Sequence, residues 1–424
     1  MVRLSAAAVM FLLFCATPSH AQAVCDPDGV QASGSIYRIC MPAGAYNGSL
    51  VVWAHGFQDA GEPVAIPEEQ LCFGETCLPD LITGLGFAFA TNSYSKTGLA
   101  VLQGKADILD LVDVFAAQKG RPDRVYLVGA SEGGIITALA VEQRPDIFSG
   151  GVAACGPIGN FRFQINYLGD ARATFEYFFP GLIPGDPFHP SPGLAATWGT
   201  YYDTVVKPLV FHPANRHRLD QWVKVAGLPF DAGNYLATVA VSVQDVLRYA
   251  VVNLNDAAET LGGFPFDNRF RRYAGSDNDV LLNLLVQRVA ADALAVTEMN
   301  TLYATTGVLA RPLVTLHTLR DQQVPYVHEA LYALKTLASG SFLTRHLNLP
   351  INRFEHCNFT AEEALFSFAI VLLYDGALQE VTGTGAIFTP DQQAAFERRA
   401  RAAGLPSRRE GDVLSFTLRS ARPR

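Results

Sequence analysis

Six largely apolar, β-rich runs separated by stretches of helical spacing constrain this chain more than any other feature. They are SLVVWAHG (49–56), GFAFATNS (86–93), RVYLVGAS (124–131), GGVAACG (150–156), RPLVTLHT (311–318) and TRHLNLPI (344–351). A strand that is apolar on both sides has both faces covered, and helices between such strands are the crossovers of a parallel sheet. The spacing predicts an α/β fold, a mostly parallel sheet with helices on both faces. Between the second and third runs, Ile108, Leu109, Leu111, Val112, Val114 and Phe115 mark a helix that Gly120 and Pro122 end. Its acidic row, Asp107, Asp110 and Asp113, is expected on the solvated face.

After Gly156 the strand pattern stops until about Ala310, and the residues between carry helical signals, prolines and many aromatics. The expected organisation is a core of residues 24–156 and 311–404, interrupted by a mainly helical cap at 157–310. A surface helix and then a basic tail at 405–424 follow. Phe175, Tyr177 and Trp198 are expected to line an apolar substrate pocket, because ligand sites are mostly apolar with few polar groups. Packing of the cap on itself is the other use for the same rings.

The chain opens with Arg3, an apolar stretch from Leu4 to Ala16, and small residues at Ala21 and Ala23. That is the layout of a signal peptide over residues 1–23, and it implies a secreted or periplasmic protein. The stretch is shorter than the ~20 residues of a membrane-spanning helix, and no later segment reads as a span. Removing the leader takes Cys15 with it and leaves Cys25, Cys40, Cys72, Cys77, Cys155 and Cys357. An even number of cysteines in an exported chain points to disulfides, and none of them has zinc-site spacing. Cys72 and Cys77 bracket a short loop and Cys25 and Cys40 flank the start of the mature chain, which would leave Cys155 with Cys357. This is one of several connectivities that six cysteines allow. The net charge of −8, with no basic block before the tail, argues against a nucleic-acid partner.

The chemistry centres on Gly129-Ala130-Ser131-Glu132-Gly133-Gly134, set between the strand RVYLV and a helical stretch. A serine on a sharp strand-to-helix turn, with glycines where side chains would clash, is a nucleophile presented to solvent. Such a hydroxyl needs a base, and the base needs a carboxylate to hold its tautomer. Asp321 lies just past the fifth run and His356 in the loop after the sixth. Ser131, Asp321 and His356 thus stand in the order this fold requires. His317 is expected to be a structural hydrogen-bonder. His189, His212, His217, His328 and His346 belong to no motif. Two N–H donors must face the oxyanion of the tetrahedral intermediate. The backbone N–H of Glu132, at the helix start, and that of Phe57, in the His55-Gly56-Phe57 turn, are the expected pair.

HGF at 55–57, GASEGG at 129–134, HTLRD at 317–321 and HCNF at 356–359 together resemble the α/β-hydrolase superfamily, and among it the exported bacterial hydrolases with an inserted cap, several of them esterases. Cys357 beside the histidine is similar to the arrangement in feruloyl esterases and tannases, where a disulfide ties the histidine loop to a cysteine beside the nucleophile. Residue 130 is Ala here, and Cys155 offers the equivalent tie from a neighbouring strand. The resemblance implies hydrolysis of a small carboxylic ester or similar acyl substrate through an acyl-enzyme on Ser131, with no metal or organic cofactor. The alternatives are a prolyl-type aminopeptidase, needing a cap carboxylate such as Asp170, Glu176, Asp186, Asp203 or Asp220 to hold the substrate amine, and a non-catalytic binding scaffold.

Overall fold

The computed structural model describes residues 23–377 except 343, together with two short strands, Arg408–Glu410 and Val413–Ser415, that pair antiparallel. The leader and the helix and tail expected after residue 377 otherwise lie outside the described residues. Eleven strands precede them: β1 Val24–Cys25, β2 Gly29–Val30, β3 Ile36–Met41, β4 Ser49–Ala54, β5 Cys72–Phe73, β6 Thr76–Cys77, β7 Ala88–Asn92, β8 Arg124–Ala130, β9 Gly150–Ala154, β10 Leu313–Arg320 and β11 His346–Phe354. Nine form one sheet in the order β1-β3-β7-β4-β8-β9-β10-β11, with β2 also on β3, while β5 and β6 form a small hairpin.

From β7 to β11 every neighbouring pair is parallel, and β3 pairs antiparallel with β7. The six apolar runs are those parallel strands. Every residue of β4, β7 and β9 is buried, as sheets covered on both faces require. Side chains alternate between two layers. Leu50 and Val52 of β4 pack with Ile108, Leu111, Phe115, Ile136 and Leu139 of the helices Val101–Lys119 and Glu132–Gln143. Val51 and Trp53 face the other way, toward Ile82, Phe368 and Ile370 of the helices Leu78–Gly84 and Ala361–Asp375. The last of these starts on a reciprocal cap, in which Thr360 accepts from the Glu363 N–H and Glu363 accepts from the Thr360 N–H.

One expected face is corrected. Asp107 is buried, and it accepts the Ser95 N–H at 2.6 Å, so only Asp110 and Asp113 of the acidic row are solvated. A turn at the end of β7 lacks a partner for that N–H, and the helix supplies it.

Helices fill the chain between β9 and β10, beginning with Phe161–Phe178 and ending with Ala293–Thr301. They enclose a second apolar core around Phe175, Phe178, Trp198, Tyr202, Trp222, Val243 and Phe266. Among the described residues, one run, Ala232–Thr260, is long and apolar enough to cross a membrane by length and composition. Its Val239, Val243, Val246, Leu247 and Val251 are buried in this second core, which gives the apolarity another cause. The helices are tied to loops at the carboxyl ends of the strands. Asn253 Nδ2 donates to Asp59 at 2.9 Å and Arg248 pairs with the same aspartate, while Tyr167 donates to the Gln322 carbonyl at 2.8 Å.

Candidate active site

β8 runs into the helix Glu132–Gln143 through one residue, so Ser131 alone must turn the backbone. It does so at φ 57°, ψ −118°, a conformation that costs a non-glycine residue of order 1–3 kcal/mol. Two glycines permit the turn. A Cβ on Gly129 would stand 2.2 Å from the Gly133 carbonyl oxygen, and one on Gly133 would stand 2.0 Å from that of Ala54. Gly133→Ala is therefore expected to destabilise the protein by about 1–3 kcal/mol and to displace Ser131. Thermal melting beside a turnover assay checks this, and an unchanged melt with unchanged turnover would refute the close approach.

Ser131 Oγ lies 2.8 Å from His356 Nε2, and His356 Nδ1 lies 2.7 Å from Asp321 Oδ2. The three residues follow β8, β11 and β10, at the carboxyl ends of strands in one sheet. Asp321 is fully buried, and its Oδ1 accepts the N–H groups of Gln323 and Val324 at 2.9 and 2.8 Å. Burial alone would raise its carboxyl, but the His356 and His317 rings outweigh this and hold it well below the usual carboxylate range. An ionised Asp321 places the His356 proton on Nδ1 and leaves Nε2 to accept from the serine.

Cys155, just after β9, is joined to Cys357 next to His356; Cys25–Cys40 and Cys72–Cys77 are the other two disulfides. Ser131, Cys155, Glu355 and Cys357 all have positive φ, so backbone strain is concentrated around the three side chains. The ligand atoms of Cys155, His356 and Cys357 lie within 4.8 Å of one another. The sulfurs are bonded to each other and offer no thiolate to a metal.

The turn after β4 is braced from beneath. His55 is buried and stacks on Tyr94 at 3.8 Å, and the Tyr94 hydroxyl donates to the His55 carbonyl at 2.8 Å. Burial lowers the His55 ring to about 4, so it is neutral. The Gly56 N–H donates to Gln70 Oε1 at 2.6 Å, which leaves Phe57 as the next donor in the turn. Glu132 is the first helical residue, with no carbonyl a turn behind it to receive its N–H. Phe57, Glu132 and Ser131 line one cavity of about 110 Å³.

That cavity is mostly apolar. The helix Phe161–Phe178 turns Phe161, Gln164, Ile165, Leu168 and Arg172 toward it, and Tyr249, Ala250 and Asn253 enter from a wider π turn over Tyr249–Asn253. The expected pocket residues are elsewhere. Phe175 packs on Trp222 at 4.9 Å, Tyr177 on Phe178 at 5.0 Å, and Trp198 on Tyr202 at 5.7 Å, beside a separate depression. By residue 175 the helix has run past the cavity into its own core. Sequence reasoning also passed over the Glu132 side chain, the one carboxyl among the described residues that lines the cavity. Burial pushes this carboxyl up to about 8, although the Ala100 N–H donates to it at 2.8 Å. A charged residue directly after the nucleophile was the available signal.

A family model described as the prolyl oligopeptidase family matches residues 82–168, a minor part of the chain that includes Ser131. No curated protein matches the chain. Among solved structures, the acylaminoacyl peptidase of Pyrococcus horikoshii is 12% identical with a TM-score of 0.41, over 88% of this chain and 44% of the peptidase. The chain therefore spans less than half of that protein's length. Candida antarctica lipase A is 15% identical with a TM-score of 0.42, over 88% of this chain and 84% of the lipase. An esterase from Aspergillus oryzae is 14% identical with a TM-score of 0.44, over 77% of this chain and 71% of the esterase. Likenesses this faint carry no argument about substrate. The strand order, the strained serine turn after β8 and the order of serine, aspartate and histidine along the chain give this protein the α/β-hydrolase fold.

Proposed function

We propose that this protein hydrolyses carboxylic esters with an extended apolar acyl group. The observation that carries the reading is the apolar cavity opening beside Ser131. In this mechanism Ser131 Oγ attacks the acyl carbon as His356 Nε2 takes its proton, while the N–H groups of Phe57 and Glu132 receive the oxyanion. His356 then returns the proton to the leaving alcohol, and a water activated by the same ring clears the acyl-enzyme. Each oxyanion donor contributes about 3 kcal/mol to lowering the barrier. The three disulfides suit an oxidising compartment, and we read the protein as exported.

The aminopeptidase reading needs a carboxylate facing the bound amine. Asp170 accepts from Tyr273, and Glu176, Asp186 and Asp220 pair with Arg172, His189 and Arg216. Asp203 borders the separate depression, and none of the five lines the cavity. Glu132 does, but burial raises its carboxyl to about 8, which disfavours the carboxylate that a bound amine would need.

Turnover of p-nitrophenyl acetate, butyrate, octanoate and dodecanoate, beside aminoacyl and prolyl p-nitroanilides, tests this. Esters are expected to be cleaved, octanoate best; cleavage of anilides alone would reject the proposal. Ile165→Trp, which fills the cavity, is expected to lower kcat/KM for octanoate about 10-fold or more with acetate little changed.

A further inference from the structure

We propose that His317 is a permanently charged imidazolium, clamped between the carboxylates of Asp321 and Glu329, that positions Asp321 and tempers its pull on His356. The ring is fully buried on β10. Its Nδ1 lies 3.1 Å from Glu329 Oε1, and its Nε2 lies 2.9 Å from the Val324 carbonyl and 3.2 Å from Asp321 Oδ2. Every one of these partners is an acceptor. A neutral imidazole has one bare lone pair, which here would face a carbonyl or a carboxylate out of contact with solvent. Two protons on the ring give each nitrogen a hydrogen to donate.

The surroundings fit a cation. Glu329 Oε2 accepts from the Thr315 hydroxyl at 2.6 Å and from Asn348 Nδ2 at 2.7 Å, so this oxygen is already held as an acceptor by two donors. Two buried carboxylates on either side of one ring would repel without a charge between them. With it, Asp321, His317 and Glu329 sum to one negative charge at rest. Protonated His356 beside them brings the total over the four residues to zero. The titratable groups facing His317 are Asp321 at its own strand end, Tyr326 and Glu329 from the following turn and helix, and His328 beside Glu329. His356 lies across Asp321, and His346 of β11 is linked through Thr315. Burial lowers His328 and His346 to about 3 and 4, leaving both neutral. Burial alone would lower His317 too, but the two carboxylates outweigh it and push the ring up to about 10.

The cation bears on catalysis through Asp321. A positive charge 3.2 Å from Asp321 Oδ2 offsets part of the negative potential that His356 feels. Without it, His356 holds its proton more tightly and is disarmed as a base at a higher pH. Only the kinetic arm of the test rests on the triad reading above.

Long-range proton–nitrogen NMR spectra of the purified protein at pH 8.5, where ordinary imidazoles have deprotonated, are expected to show one histidine ring with both nitrogens protonated. Absence of that ring, with Glu329 instead carrying the proton, would overturn the proposal. In the kinetic arm, His317→Gln and Glu329→Gln both remove the cation, the second by giving Nδ1 an amide donor. Each is expected to move the acid limb of the kcat/KM profile up by about one pH unit, roughly a 10-fold loss on that limb. Lower turnover with an unmoved limb in both variants would reduce His317 to packing and also overturn the proposal. If neither variant folds, the spectrum of the unaltered protein decides. Failure of the triad reading is separate, since it would appear as turnover surviving Ser131→Ala while the doubly protonated ring remains.

Discussion

Replacing Ser131 by alanine is expected to lower kcat about a millionfold while leaving the affinity for an ester substrate within a few-fold of the original. On the proposed mechanism the nucleophile is lost, while the cavity wall of Phe57, Ile165 and Leu168 is untouched. His356→Ala should cost nearly as much, and the double variant hardly more, because serine and histidine act as one unit through the 2.8 Å contact between them. Asp321→Asn should cost about 10⁴, since an amide can donate to His356 Nδ1 and hold the wrong tautomer. Single-turnover kinetics with p-nitrophenyl octanoate separates these outcomes. A Ser131→Ala variant within 100-fold of the original would mean that another nucleophile does the work.

Joint replacement of Cys155 and Cys357 by serine is expected to give the largest loss of stability among the three disulfides. The bond closes a loop with a sequence separation of 202 residues, against 15 for Cys25–Cys40 and 5 for Cys72–Cys77. On the chain-entropy account its removal costs about 5 kcal/mol, and that of Cys25–Cys40 about 3. Activity should fall further than folding does. The bond anchors the segment Glu355–Cys357, where two of three residues are held at positive φ, and His356 lies between them. Relaxation by 1 Å would open the contact to Ser131, a change worth about 100-fold. Denaturant unfolding and kcat, measured on the same double-serine preparation, check both parts. Unchanged kcat in a still-folded variant would show that β11 and Asp321 hold the histidine without the disulfide.

The parallel strands were readable because a strand covered on both faces must be apolar at successive positions, as Ser49–Ala54 and Gly150–Ala154 are. The antiparallel edge was not. β3, Ile36–Met41, mixes half-buried and buried positions around Arg38 without alternating, and β1 and β2 are two residues each, too short for any periodicity. Asp107 failed the face rule because a distant N–H, that of Ser95, took its carboxylate inside. The aromatic pocket residues failed for a related reason. Helical spacing identifies the buried stripe of Phe161–Phe178 but says nothing about where along that stripe the cavity stops and the second core begins.

By itself the sequence determined what is local or ordered along the chain: the alternation of strand and helix, the strained turn at Ser131 made possible by Gly129 and Gly133, and the order of serine, aspartate and histidine. Each follows from sterics or periodicity within a few residues, or from strand order. Tertiary structure alone decided what depends on segments far apart in sequence meeting in space. Ser131 and His356 are 225 residues apart and meet at 2.8 Å only because β8, β9, β10 and β11 are neighbours in one sheet. The same juxtaposition joins Cys155 to Cys357, buries Glu132 in an apolar cavity, and leaves both nitrogens of His317 facing acceptors. Burial and charge at those atoms are properties of the neighbours that packing supplies, and no window of sequence contains them.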